Sequence, residues 1–191
     1  MKLIKPIIFS LLLGASLVIA YKVYNSLKVY NAEFVRIKNA DDLAIEQLKK
    51  IRTAQKVYLE SKGVYAPEWD SLITFINDGE IPIIQRKEHI DKDQFNQDSI
   101  WTEIDTLEVV PAYDSLRGAL GYSKEDMYML AIVPSNPDSV QFELRTNMRR
   151  GEFFIQVKDP DPINPQRQEG GKLKPLRFGS LATSSTKGNW E

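Results

Sequence analysis

Between Lys5 and Lys22 the chain carries no charged side chain, and the run from Pro6 to Tyr21 is dominated by Ile, Leu, Val, Phe and Ala. As a helix, its 16 residues would extend roughly 24 Å at a rise of ~1.5 Å per residue. That is slightly short of a ~30 Å hydrocarbon core. Leu3 and Ile4 at one end, and Val23 and Tyr24 at the other, lengthen it. Lys5 and Lys22 can snorkel, and Tyr21, Tyr24 and Tyr30 suit an interfacial belt. The residues expected in the bilayer are Ile7, Ile8, Phe9, Leu11, Leu12, Leu13, Leu17, Val18, Ile19 and Tyr21. The expected topology is a single pass through the inner membrane, N-terminus inside, with the C-terminal domain in the periplasm. The alternative is a signal peptide cleaved near Val18-Ile19-Ala20, which leaves a secreted or periplasmic protein. A buried core helix is the third reading of the same run.

Composition narrows the rest. A hydrophobic fraction of 42% and a charged fraction of 27% are ordinary for a folded domain. The formal net charge is -1, with acids and bases interleaved, so no nucleic acid is expected as partner. There is no cysteine, which excludes disulfides, thiol catalysis and cysteine-bound metals together.

From Asn31 to Lys62 no Gly or Pro occurs, and Ala, Leu, Glu, Gln and Lys abound. Ile37, Ala44, Leu48, Ile51 and Tyr58 recur at three-four spacing, with Leu43, Ala54 and Val57 widening the stripe. The spacing predicts one long amphipathic helix ending at Gly63, with this stripe as its packing or assembly face. Asp41 and Gln55 break a strict heptad, so packing on the protein's own sheet takes precedence over a coiled coil.

A second helix is expected from Pro67, with Trp69, Leu72, Ile73 and Ile76 on its apolar face and Gly79 closing it. Thereafter the period changes to two. Strands are expected at Ile81–Arg86, Ile104–Val110, Met127–Val133, Val140–Met148, Glu152–Lys158 and Leu176–Leu181. Arg149-Arg150-Gly151 reads as a hairpin loop, and Tyr113–Leu120 as a short helix closed by Gly121. Lys87–Ser99 and Asp159–Pro175 read as loops. Helices first and strands later predict an α+β fold. It divides into an anchor or signal peptide at 1–24, a long amphipathic helix at 25–62, and an α+β extracytoplasmic domain with a small antiparallel sheet at 63–191.

The run Ile51-Arg-Thr-Ala-Gln-Lys-Val-Tyr58, then Gly63-Val-Tyr65, then Trp69-Asp-Ser-Leu72 resembles type IV pilins and type II secretion pseudopilins, over about 80 residues. The resemblance implies an apolar N-terminal helix continuing into an amphipathic one, with a small antiparallel sheet packed upon it. The family's processing junction has no counterpart: Gly14 precedes Ala15, and the apolar run contains no acid. The implied protein is a pilin-like anchored one that is never processed. The chain also resembles membrane-anchored envelope proteins of Bacteroidota, in Arg-Thr-Ala-Gln, Gly-x-Tyr and the closing Gly188-Asn-Trp-Glu191. Asp followed by Ser or Thr and an aliphatic residue is similar to the O-glycosylation sequon of that group, which makes Ser99, Thr106 and Ser139 candidate glycosylation sites. Turn and cap chemistry explains the same pattern at Asp70-Ser71-Leu72 and Asp114-Ser115-Leu116.

No catalytic set stands out. The single histidine, His89, lies in a charged stretch, and there is no Gly-x-Ser-x-Gly elbow and no phosphate-cradling loop. Asp91, Asp93, Asn96 and Asp98 are oxygen-rich, but Phe95 takes a ligand place in the calcium-loop pattern; Asp159 and Asp161 sit between prolines. No metal and no cofactor is expected. Trp190 is unusual so near the last residue of the sequence, and is expected either to pack back on the domain or to anchor a partner. The expected function is a non-enzymatic, membrane-anchored structural subunit of a cell-envelope assembly. Its expected partners are the membrane, other envelope proteins and further copies of itself. The alternatives are an extracytoplasmic module that binds a ligand through its loops, and a hydrolase working through carboxylates alone.

Overall fold

The computed structural model describes residues 4–92, 98–134 and 140–191. The chain forms two compact units, Met1–Asp42 and Leu43–Glu191. Helix α1 spans Ile4–Lys62, a single run of 59 residues. Gly63 ends it at φ +75, donating its N–H to the Leu59 carbonyl at 2.8 Å. This left-handed cap is what the sequence anticipates.

The second unit is α+β, with small antiparallel sheets. From α1 it takes Ala44, Leu48, Ile51 and Ala54 into its core, while Tyr58 and Val57 pack against that core. Leu43 is exposed, so it does not widen the buried stripe as expected. Helix α2, Trp69–Asp78, contributes Leu72, Phe75 and Ile76. It starts two residues after Pro67, with Glu68 at the cap. Pro67 therefore precedes the helix rather than opening it, because an extended Glu68 (φ -136, ψ 157) intervenes. Helix α3, Ala112–Leu120, adds Ala112, Leu116 and Leu120 and closes on Gly121 in the left-handed region.

Strands β1, Glu80–Lys92, and β2, Asp98–Pro111, form a long two-stranded ribbon. Most of Lys87–Ser99, expected as a loop, belongs to it: Lys87 stands opposite Glu103 and Lys92 opposite Asp98. Charge misled the sequence reading here. A ribbon that does not bury a face can keep charges within its strands and pair them across. The pairing shifts between Ile83 and Ile84, where Leu107 is the additional residue.

Met127–Ala131 is a 3₁₀ helix, not the expected strand. Met127, Leu130 and Ala131 are buried while Tyr128 and Met129 are exposed, a helical spacing that a short apolar run conceals. Its exit is extended, and Ile132 bridges Gln141. The main sheet has the order β3-β4-β7, from Glu143–Arg149, Glu152–Lys158 and Arg177–Ser180. Strand β3 begins three residues later than expected, and Arg150 (φ 53) and Gly151 (φ 83) make a two-residue turn into β4. Both residues lie in the left-handed region that such a hairpin requires. Inside Asp159–Pro175, two-residue strands β5 (Gln168–Glu169) and β6 (Lys172–Leu173) form a miniature hairpin.

Candidate functional site

In the first unit, Phe9, Leu11, Leu12, Leu13, Leu17, Val18, Ile19 and Tyr21 are all exposed, from 54% for Leu13 to 71% for Leu11 and Tyr21. At 100° per residue these positions surround the helix axis. The side chains of Ile7 and Ile8 lie outside the described residues. Among the described residues, no helix is long and apolar enough to cross a membrane. The described run is curtailed at its far end by Lys22 and Asn25. Ser16 Oγ donates back to the Leu13 carbonyl at 2.8 Å, so the hydroxyl is satisfied within its own helix.

In the second unit two glutamines of α1 are buried, and sequence reasoning assigned neither a role. Gln55 Nε2 donates to the Ala66 carbonyl at 3.2 Å, and the Ala66 N–H donates to Gln55 Oε1 at 3.0 Å. Gln47 Nε2 donates to the Met129 and Leu130 carbonyls, each at 2.9 Å, and its Oε1 accepts from the Tyr122 hydroxyl at 2.9 Å. Each amide satisfies main chain that would otherwise be buried without partners. The signal was present in the sequence: both residues fall among the Ala, Leu and Ile positions of the stripe. Tyr65, next to Ala66, is buried, and that burial raises its hydroxyl pKa.

The last four residues fold back on the domain. The Gly179 N–H donates to the Lys187 carbonyl and the Asn189 N–H to the Arg177 carbonyl, both at 3.0 Å. The Asn189 side chain accepts from the Arg177 N–H at 3.1 Å and donates to the Pro175 carbonyl at 2.8 Å. Gly188 is buried against the Trp190 ring, which leaves no room for a Cβ. Trp190 packs against the core, and the Arg52 guanidinium stands 6.0 Å from its ring centre. Arg52 also donates to Glu191 Oε1 at 2.6 Å. That bond holds the Glu191 carboxyl below its ordinary pKa. Trp190 is thus engaged within its own domain.

The remaining candidates are simple. His89 Nε2 lies 3.0 Å from Glu103 Oε2 across the ribbon. Asp93, Asn96 and Ser139 lie outside the described residues, as do the side chains of Asp91, Asp98 and Ser99. Asp159 is buried, and its Oδ1 accepts from the Asp161 N–H at 3.0 Å, an Asx turn. Among the described residues, no three of His, Cys, Asp and Glu gather as metal ligands would. Thr106 is exposed beside the shift in the ribbon. An open groove of about 550 Å³ is lined by Tyr58, Lys62, Asp70, Thr74, Phe75 and Asp78, among others. Its two acids, Asp70 and Asp78, are eight residues apart on α2, so their Cα positions are about 12 Å apart along the helix axis.

No family model matches the chain, no curated protein matches it, and no solved structure matches it. The functional reading therefore rests on the chain's own chemistry.

Proposed function

We propose that this protein is a non-enzymatic structural subunit of a bacterial cell-envelope complex, a secretion, pilus-like or motility machine. On this reading residues 1–24 anchor it in the inner membrane as a single pass, and the remainder stands in the periplasm in a pilin-like layout. The observation that carries the reading is the helix around Leu11–Ile19, whose large apolar side chains are exposed in every direction. Water penalises such a surface by about 25 cal/mol per Å², and a helix apolar all round belongs in protein or lipid. The uncharged run from Pro6 to Tyr21, extended by Leu3, Ile4, Val23 and Tyr24, reaches nearly the length of a hydrocarbon core.

Purification from the native envelope in mild detergent, with co-purifying proteins identified by mass spectrometry, tests the assembly role. A defined set of envelope partners is the expected result. Protein extracted as a lone monomer, with nothing bound, contradicts it.

A second reading, a ligand-binding module, draws on one observation. The β1–β2 ribbon exposes Ile83, Ile84, Leu107 and Val109, an apolar content beyond what an isolated ribbon needs. Retention of the envelope partners by a Leu107→Asp, Val109→Asp variant would remove the ribbon from partner binding.

A further inference from the structure

The three-four spacing that the second unit buries does not begin at Ala44. Counted back from Tyr58, the same spacing runs through Ile51, Leu48 and Ala44, with Gln55 and Asp41 as its polar positions, and resumes apolar at Ile37, Phe34, Tyr30, Leu27 and Val23. In a heptad frame with Leu27 and Phe34 at a, Val23, Tyr30 and Ile37 stand at d. The two stretches fare differently. Ala44, Leu48 and Ile51 are consumed by the domain's own core. In the first unit Val23 is 52% exposed, Leu27 56%, Tyr30 64% and Phe34 42%. Ile37 is half-buried and Ala40 buried, so the uncovered stretch runs from Val23 to Phe34, and polar Asp41 takes the next a position.

We infer that the Val23–Ile37 seam pairs with the same seam of a second copy, as a parallel, in-register coiled coil. Three observations support that occupant. A continuous a/d repeat supercoils against another helix with the same repeat. In the same frame Glu33 stands at g and Lys38 at e, the two positions that meet between parallel in-register helices. Each dimer therefore gains two complementary charge pairs. The next g and e positions back are Ser26 and Asn31, which are uncharged and introduce no repulsion. Glu33 is available at the surface: its present partner is Arg36, one turn along the same exposed helix, with Nη2 2.7 Å from Oε1.

Parallel orientation rests on the anchor proposed above, which would hold copies side by side, facing the same way and at high local concentration. Two heptads are too few to pair strongly in free solution, so the seam is suited to association within a membrane.

The absence of cysteine makes the test direct. Single substitutions in the full chain at Val23→Cys, Leu27→Cys, Tyr30→Cys and Phe34→Cys are compared with Asn25→Cys and Ala32→Cys, which fall at f. All six positions are exposed, so the core is untouched. After mild oxidation in native membranes, all four seam positions should give a covalent dimer and both f positions should not, because a disulfide needs Cα atoms within about 7 Å. An antiparallel pair would cross-link at no more than one seam position. Adding Lys38→Glu to Phe34→Cys should lower the dimer yield roughly fivefold, and adding Glu33→Lys as well should restore it. Equal yields at a, d and f, or none at any, overturn the seam. Alkaline extraction of the same membranes reports the anchor separately. Retained protein without the pattern refutes the dimer alone, and soluble protein that still shows the pattern refutes the anchor alone.

Discussion

The side-chain amide of Gln55 pairs with the main chain of Ala66 as a neighbouring strand would, donating to its carbonyl and accepting from its N–H. Both groups are buried, and the pair fixes the chain just after α1 turns at Gly63. Replacing Gln55 with Leu keeps the bulk but strands two buried main-chain groups. The expected loss is about 2–4 kcal/mol, read as a lower urea midpoint with unchanged slope. A loss below about 0.5 kcal/mol would show that water satisfies Ala66 equally well.

Gly179 and Gly171 share φ +77, but their surroundings differ. A Cβ on Gly179 would collide with the Ile155 carbonyl oxygen, whereas one on Gly171 meets open space. Gly171→Ala should cost about 1–2 kcal/mol, the left-handed penalty alone. Gly179→Ala should cost distinctly more, because β4 must also move away from β7. Equal melting shifts for the two variants would contradict the close approach.

The clasp of Trp190 and Glu191 on Arg52 should be sensitive to acid. The folded Glu191 pKa lies below its unfolded value, so its contribution is complete above the unfolded pKa and is lost as pH falls through the folded one. With Trp69 and Trp101 replaced by Phe, Trp190 emission should shift red over that acid range. Glu191→Gln should abolish the step, and Arg52→Ala should leave the emission red-shifted at every pH. An emission maximum that ignores both variants would mean that Arg52 does not hold the ring.

Thr106 is the candidate glycosylation site with a described, exposed side chain. Protein from the native host should exceed the bare polypeptide mass of 21.9 kDa, and Thr106→Val should remove part of the excess. Ser99→Ala and Ser139→Ala should account for any remainder. The bare mass in the unmodified protein would end the idea.

What the sequence disclosed follows physical rules. Glycines with a single steric role were legible: Gly63, Gly121 and Gly151 mark a helix end, a helix end and a hairpin turn. Strand β4 was legible to the residue because Glu152–Lys158 is a short run of aromatic and β-branched residues starting just after the turn residue Gly151. The inner parts of the β1–β2 ribbon, Ile81–Arg86 and Ile104–Val110, were legible as strands; its outer part, read as the loop Lys87–Ser99, was obscured by its charges. The 3₁₀ turn was obscured because Met-Tyr-Met-Leu-Ala is apolar with either period. Gln55 looked like an interruption of a stripe and Gln47 drew no reading; both are its polar attachment points, which the positions of Tyr122, Leu130 and Ala66 reveal. Trp190 was legible as a residue that needs a partner; the Arg52 side of that contact is 138 residues away in sequence and was not.

On the proposed function, the first 24 residues hold the protein in a membrane. The most direct measurement is the intact mass of the protein's N-terminal peptide from native cells, taken from the pellet left by alkaline carbonate extraction. An anchored protein stays in that pellet with Lys5 to Tyr24 uncleaved. Protein released by carbonate, with an N-terminus beginning just after Ala20, would contradict it.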